Sequence, residues 1–185
     1  MQDIRQNSFY LLLPISFLGY YLLAQVERTE VSTLIGIFTL LFASYIVLLK
    51  FKVPQLVWII VGLCFRMAFI DYTPLLSQDY YRFIWDGTLL AKGINPYLYL
   101  PDELIEIYEQ WDYLYIGMGS LSSSHYTNYP MINQLLFSLG ALSTKPILTY
   151  RLILILADLI TFKLLTKLSS QTWGLTYWLS PLVIL

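Results

Sequence analysis

Asp79, Arg82 and Asp86 are spaced three and four residues apart, so on a helix they share one face. A carboxylate there can take a proton from an attacking hydroxyl, and an arginine can stabilise charge that grows on a leaving group. Tyr81, Ile84 and Trp85 take the opposite side of the same helix. The spacing also fits a plain surface ion pair, Asp79–Arg82 or Arg82–Asp86. Ser77 stands where it can cap a helix starting near Gln78. Gly87 and Gly93 bracket a further turn or two. Asn95-Pro96-Tyr97 then ends the element, because proline disfavours helix in the residue before it.

Other reactive residue types are few. His125 is the single histidine and Cys64 the single cysteine, so neither a disulfide within the chain nor a histidine–cysteine metal cage can form. His125 fits either a substrate contact or an ordinary hydrogen-bonding surface histidine. Carboxylate oxygens could still hold a hard divalent cation such as Mg or Mn, with Asp79 the ligand of choice. Arg66 and Arg151, each near the end of an apolar stretch, are candidates for a phosphate contact. Asp158 shares a face with Arg151 and reads as a structural partner for another helix.

These residues need elements to hold them, and composition says what kind. The chain is 57% hydrophobic and 12% charged with net charge −1, and its mean hydropathy is +0.62. Soluble domains are about 25% charged, so lipid is the expected solvent, and the charge gives no case for nucleic acid. Apolar stretches at Ser8–Val26, Val31–Leu49, Val53–Ile70 and Ile147–Leu168 predict crossings of a bilayer. A fifth, from Trp173 to Leu185, is too short to cross, which leads us to expect that the chain is the N-terminal portion of something longer. The expected fold is an all-α polytopic membrane protein with about four or five transmembrane helices. Residues 1–70 form three of them, 71–146 a long outer loop of interfacial helices, and 147–185 the remainder.

Arg5, Lys50, Lys52, Lys163 and Lys167 all fall on one side of this arrangement, which predicts a cell-membrane protein with its N-terminus in the cytoplasm. Loop 71–146 then lies outside, and its acidic residues outnumber Arg82, Lys92 and Lys145. In it, Pro101-Asp102 opens a helix whose apolar face is Leu104, Ile107, Tyr108, Trp111, Leu114 and Tyr115, with Glu103, Glu106, Glu109 and Asp112 opposite. Gly117 to Ser124 reads as a flexible link. Tyr129-Pro130 starts a third helix, Met131 to Leu142, and Pro146 separates it from the next span.

Ser77, Asp79, Arg82, Trp85, Asp86, Gly87, Gly93, Asn95, Pro96 and Tyr97 together resemble the first outer loop of the C-type glycosyltransferases, closest to bacterial mannosyltransferase-like members. Tyr129-Pro130, Gln134 and Phe137 resemble the helix that follows that loop. The chain departs from the family at Met131, where a second proline is usual, and at Ser77, where more distant members have an acid.

The resemblance implies a lipid bilayer and a polyprenyl-phosphate sugar donor as partners. It also implies Asp79 and Asp86 as catalytic carboxylates and Arg82, Trp85, Asn95, Tyr97 and Tyr129 as substrate-binding residues; Arg66, Arg151 and His125 join the substrate-binding set from the reading of the residues above. Trp85 and Tyr97 would offer flat faces to a sugar ring, with packing on the membrane side the equal alternative for Trp85. The family's remaining spans would come from a missing C-terminal portion. Two other readings stay open: a non-catalytic truncated paralogue or scaffold, and a transporter of lipid-linked sugars.

Overall fold

The computed structural model describes the backbone of residues 2–185 and the side chains from residue 8 onward. Among the described residues all regular structure is helical, in agreement with the all-α expectation. The elements are α1 (Gln2–Leu23), α2 (Val31–Leu48), α3 (Gln55–Met67), α4 (Asp79–Ala91), α5 (Pro101–Leu104), α6 (Asp112–Ser123), α7 (Met131–Ala141), α8 (Pro146–Leu168), α9 (Gln171–Trp178) and α10 (Pro181–Ile184), with a 3-10 turn at Glu109–Trp111. Proline sets several of the starts. Pro101, Pro146 and Pro181 are first helical residues, where the missing N–H costs nothing and φ is already helical.

The chain divides into two compact units, Met1–Leu75 with Ile153–Leu185, and Leu76–Leu152. The core of the first is aromatic. Trp58, Phe162 and Trp178 are fully buried, with Tyr20, Phe65 and Phe69 packed around them. The Trp178 indole N–H donates to the Trp58 carbonyl at 2.8 Å. Gly62 lies directly under that indole, where any Cβ would collide with it.

Among the described residues one helix, Val31–Leu48, is long and apolar enough to cross a membrane. The other expected crossings differ from their sequence forms. α3 has 13 residues, a rise of about 20 Å against the roughly 30 Å of a hydrocarbon core, because it starts only after Pro54 and unwinds at Ala68. α8 has 23 residues but carries Arg151, Asp158, Lys163 and Lys167. The expected single helix from Trp173 onward is two short ones. Pro181 holds Ser180 extended, at φ −59° and ψ 128°. Arg5, one of the residues used to orient the chain, lies outside the described side chains.

In the second unit α4 packs against α7 and α6. Its C-terminus is a Schellman turn. Gly93, at φ +79°, takes the left-handed position, and its N–H and that of Ile94 donate to the Leu90 and Leu89 carbonyls at 2.9 and 3.0 Å. Gly87 faces the α7 backbone so closely that a Cβ would run into the Phe137 carbonyl. The core is Ile84, Trp85, Leu89, Leu104, Trp111, Leu114 and Met118.

The predicted continuous helix from Pro101 is instead α5, the 3-10 turn and α6. The chain turns between Leu104 and Trp111, which buries Leu104, Trp111 and Leu114 but leaves Ile107 exposed. The expected flexible link at Gly117 is mostly helix, broken only by Gly119 at φ +76° and ψ 162°.

Candidate functional site

α4 begins at Asp79, whose backbone N–H donates to the Ser77 hydroxyl at 3.1 Å. The N-cap is Gln78 and its side chain caps nothing, so Ser77 stands one residue before the cap and does not fill the capping position expected of it. The Asp79 side chain is exposed. One turn on, Arg82 is buried, and Nε donates to Asp86 Oδ1 at 2.8 Å. The stripe therefore resolves into a buried Arg82–Asp86 pair, with Asp79 as the exposed carboxylate. Asp86 is fully buried, and its second oxygen accepts from Gln134 Nε2 at 3.0 Å. The same amide nitrogen donates to the Thr127 hydroxyl at 2.9 Å.

Arg82 also reaches the last turn of α6 and the segment that follows it. Its Nη1 donates to the carbonyls of Ser122 and His125, the latter at 3.1 Å. One buried guanidinium nitrogen, Nη2, and one buried amide oxygen, Gln134 Oε1, have no hydrogen-bond partner. Burial, with Asp79 and then Asp86 adding to it against the opposing charge of Arg82, raises the pKa of the half-buried Tyr129 phenol. Tyr129 therefore keeps its proton well above neutral pH and lies in the field of both carboxylates. Its ring meets Phe83 and Phe137 edge-on, and those two rings stack at 4.3 Å. Tyr97 is partly exposed, and its hydroxyl donates to the Tyr129 carbonyl. Asn95 Oδ1 accepts the Tyr97 N–H at 3.0 Å, an Asx turn.

No family model, no curated protein and no solved structure matches this chain.

Two sequence-predicted contacts change their meaning. Trp85 is fully buried against Trp111, with ring centroids 5.3 Å apart. It is a core residue and offers no face to a sugar. Arg66 lies in the other unit, buried, with Nε and Nη2 on Asp158 Oδ2 at 3.2 and 3.0 Å and Nη1 on the Gly62 and Trp178 carbonyls. Its guanidinium also covers the Trp178 ring at 3.9 Å. Four of its five N–H donors are thus committed inside the protein, and the side chain is buried. Asp158 is the structural partner expected, and it also accepts from the Tyr177 hydroxyl at 2.7 Å. Arg151 is half-buried on α8.

Sequence reasoning gave Gln134 and Thr127 no role of their own. The signal for Gln134 was weak, since the run Met131–Ala141 also carries Asn133 and Ser138 and only burial singles Gln134 out. Among the described residues no three His, Cys, Asp or Glu side chains converge. Asp79 alone is a poor cage for Mg or Mn.

Proposed function

We propose that this chain is a membrane glycosyltransferase, mannosyltransferase-like, that moves a sugar from a polyprenyl-phosphate donor to an acceptor hydroxyl at the outer face of the cell membrane. One contrast carries the reading. Of two carboxylates on one helix, Asp86 is sealed into a buried network while Asp79, one turn from Arg82, faces solvent. A buried carboxylate bonded through both oxygens serves structure; an exposed one can meet a substrate.

In this mechanism Asp79 takes the proton of the acceptor hydroxyl. The acceptor oxygen bonds to the anomeric carbon as the carbon–oxygen bond to phosphate breaks, and the electron pair leaves on the polyprenyl phosphate. The Arg82 charge, buried one turn from Asp79, supplies the positive field for that phosphate, and its buried Nη2 has no protein hydrogen-bond partner. On this reading Tyr97 and Tyr129, joined by the hydrogen bond from the Tyr97 hydroxyl to the Tyr129 carbonyl, face the sugar, and Arg151 is a second cation assigned to the headgroup.

The membrane setting is supported by an inverted distribution of polarity. Leu11 on α1, Ile35 on α2 and Leu154 on α8 are each more than 60% exposed, whereas Arg66 is 3% exposed. Exposed aliphatic faces on successive helices are stable in lipid and a liability in water. About four or five crossings with the N-terminus inside remain part of this proposal.

One observation favours a non-catalytic scaffold: the internal contacts of Arg82 and the burial of Trp85 are what a purely structural loop would need. Transport of lipid-linked sugars would rest on Arg151 and Asp158, and Asp158 is spent on Arg66 and Tyr177. The test uses the purified protein in nanodiscs with polyprenyl-phosphate mannose and a glycolipid acceptor. Mannosylated product with matching release of polyprenyl phosphate is expected. Donor crossing a vesicle bilayer unchanged would mean a transporter, and neither product nor crossing would mean a scaffold.

A further inference from the structure

His125 is held in one pose from two ends. Its carbonyl accepts from Arg82 Nη1 at 3.1 Å. Its ring nitrogen Nδ1 lies 2.8 Å from the Leu121 carbonyl oxygen and 3.2 Å from the Ser124 hydroxyl oxygen. A carbonyl oxygen can only accept. The Ser124 hydroxyl already donates its proton to the Ser120 carbonyl at 2.8 Å, so toward His125 it too can only accept. The Leu121 carbonyl thus requires a proton on Nδ1, and the Ser124 hydroxyl, with its own proton on the Ser120 carbonyl, is compatible with one. In the neutral ring the second nitrogen, Nε2, then carries a bare lone pair. The side chain is exposed, so that lone pair is open to a ligand.

Its neighbours say which kind. Arg82 fastens residues 122 and 125 to α4 one turn beyond Asp79. Through Arg82 the His125 backbone is tied to the helix that carries Asp79, and a hydrogen-bond acceptor on that segment suits a group that brings its own proton, a hydroxyl, better than a phosphate oxygen, which brings none.

Resting on the function proposed above, we propose that His125 Nε2 accepts a hydrogen bond from a hydroxyl of the acceptor substrate, making His125 a specificity residue of the polyol-binding side of the site.

Two readouts test this. As the sole histidine, His125 gives one set of ring signals in a long-range proton–nitrogen spectrum of the full chain in nanodiscs. The neutral ring is expected to carry its proton on Nδ1, and the Nε2 signal is expected to move on addition of octyl mannoside, a probe with free hydroxyls. A proton on Nε2, or an Nε2 signal that ignores the probe, would overturn the proposal. Neither readout needs turnover, so a wild-type protein that transfers no sugar would sink the glycosyltransferase reading while this one is still decided.

Kinetics supply the second arm. His125→Asn keeps an amide N–H where Nδ1 was and removes Nε2. It is expected to raise KM for the acceptor about tenfold, the loss of one hydrogen bond, with donor KM and kcat little changed. His125→Gln returns an acceptor oxygen near the Nε2 position and is expected to recover part of the loss. Equal loss in both variants, or a fall in kcat alone, would mean that the residue only shapes the loop.

Discussion

Asp86 has Oδ1 on Arg82 and Oδ2 on Gln134, and it is fully buried. Replacing it by asparagine leaves the Arg82 charge in a buried site without its counterion, which typically costs about 3–5 kcal/mol. The same change at exposed Asp79 should cost no more than about 1 kcal/mol. Urea or thermal unfolding of the two variants should therefore separate them clearly; similar losses would mean that the buried pair does not matter to the fold. The sequence placed these residues on one helix by spacing alone. It could not say which of them pair, because burial comes from α7, the last turn of α6 and the segment after it, about 40 residues further on. For the same reason Trp85 read as a sugar platform: its partner Trp111 lies across a turn that helical periodicity did not reveal.

Glycine governs the elements of the second unit at two positions, for different reasons. At Gly87 the obstacle is the α7 backbone, which cannot rotate away as a side chain would. Gly87→Ala is expected to push α4 from α7 and destabilise by about 1–3 kcal/mol. At Gly93 there is open space but a φ of +79°, so Gly93→Ala should cost about 1 kcal/mol from conformation alone. Unfolding free energies in the order Gly87→Ala worse than Gly93→Ala are the expected result. Proline wrote two helix starts legibly, α7 after Pro130 and α8 at Pro146, whereas α4 ends at Ala91, ahead of the Asn95-Pro96-Tyr97 stop expected, because Gly93 takes the left-handed position. The stretch 101–123 was misjudged as one helix and a link because its apolar residues keep helical spacing across a turn. What bends it is the burial of Leu104 and Trp111 in one core, a tertiary effect.

Across the whole molecule, the first unit depends on a pair that no local pattern announces. Arg66 and Asp158 are 92 residues apart. Asp158→Leu alone should destabilise by roughly 3–5 kcal/mol, and Arg66→Met with Asp158→Leu should recover much of that, since a buried pair is often replaceable by apolar groups but not breakable. A double variant as unstable as the single would contradict it. Topology is tested with Cys64→Ser as background, because Cys64 is exposed. Cysteines at Glu103 and Ser124 should react with an impermeant maleimide in intact cells, and protection of both until lysis would reverse the proposed orientation. The central claim is that Asp79 is the carboxylate that takes the acceptor proton, and the most direct measurement is the turnover of Asp79→Asn with polyprenyl-phosphate mannose in nanodiscs, compared with wild type at matched folding. Asparagine keeps the shape and cannot take a proton. A fall of about 10²-fold or more in kcat with the unfolding temperature unchanged is the result expected, and turnover close to wild type would remove Asp79 from the mechanism.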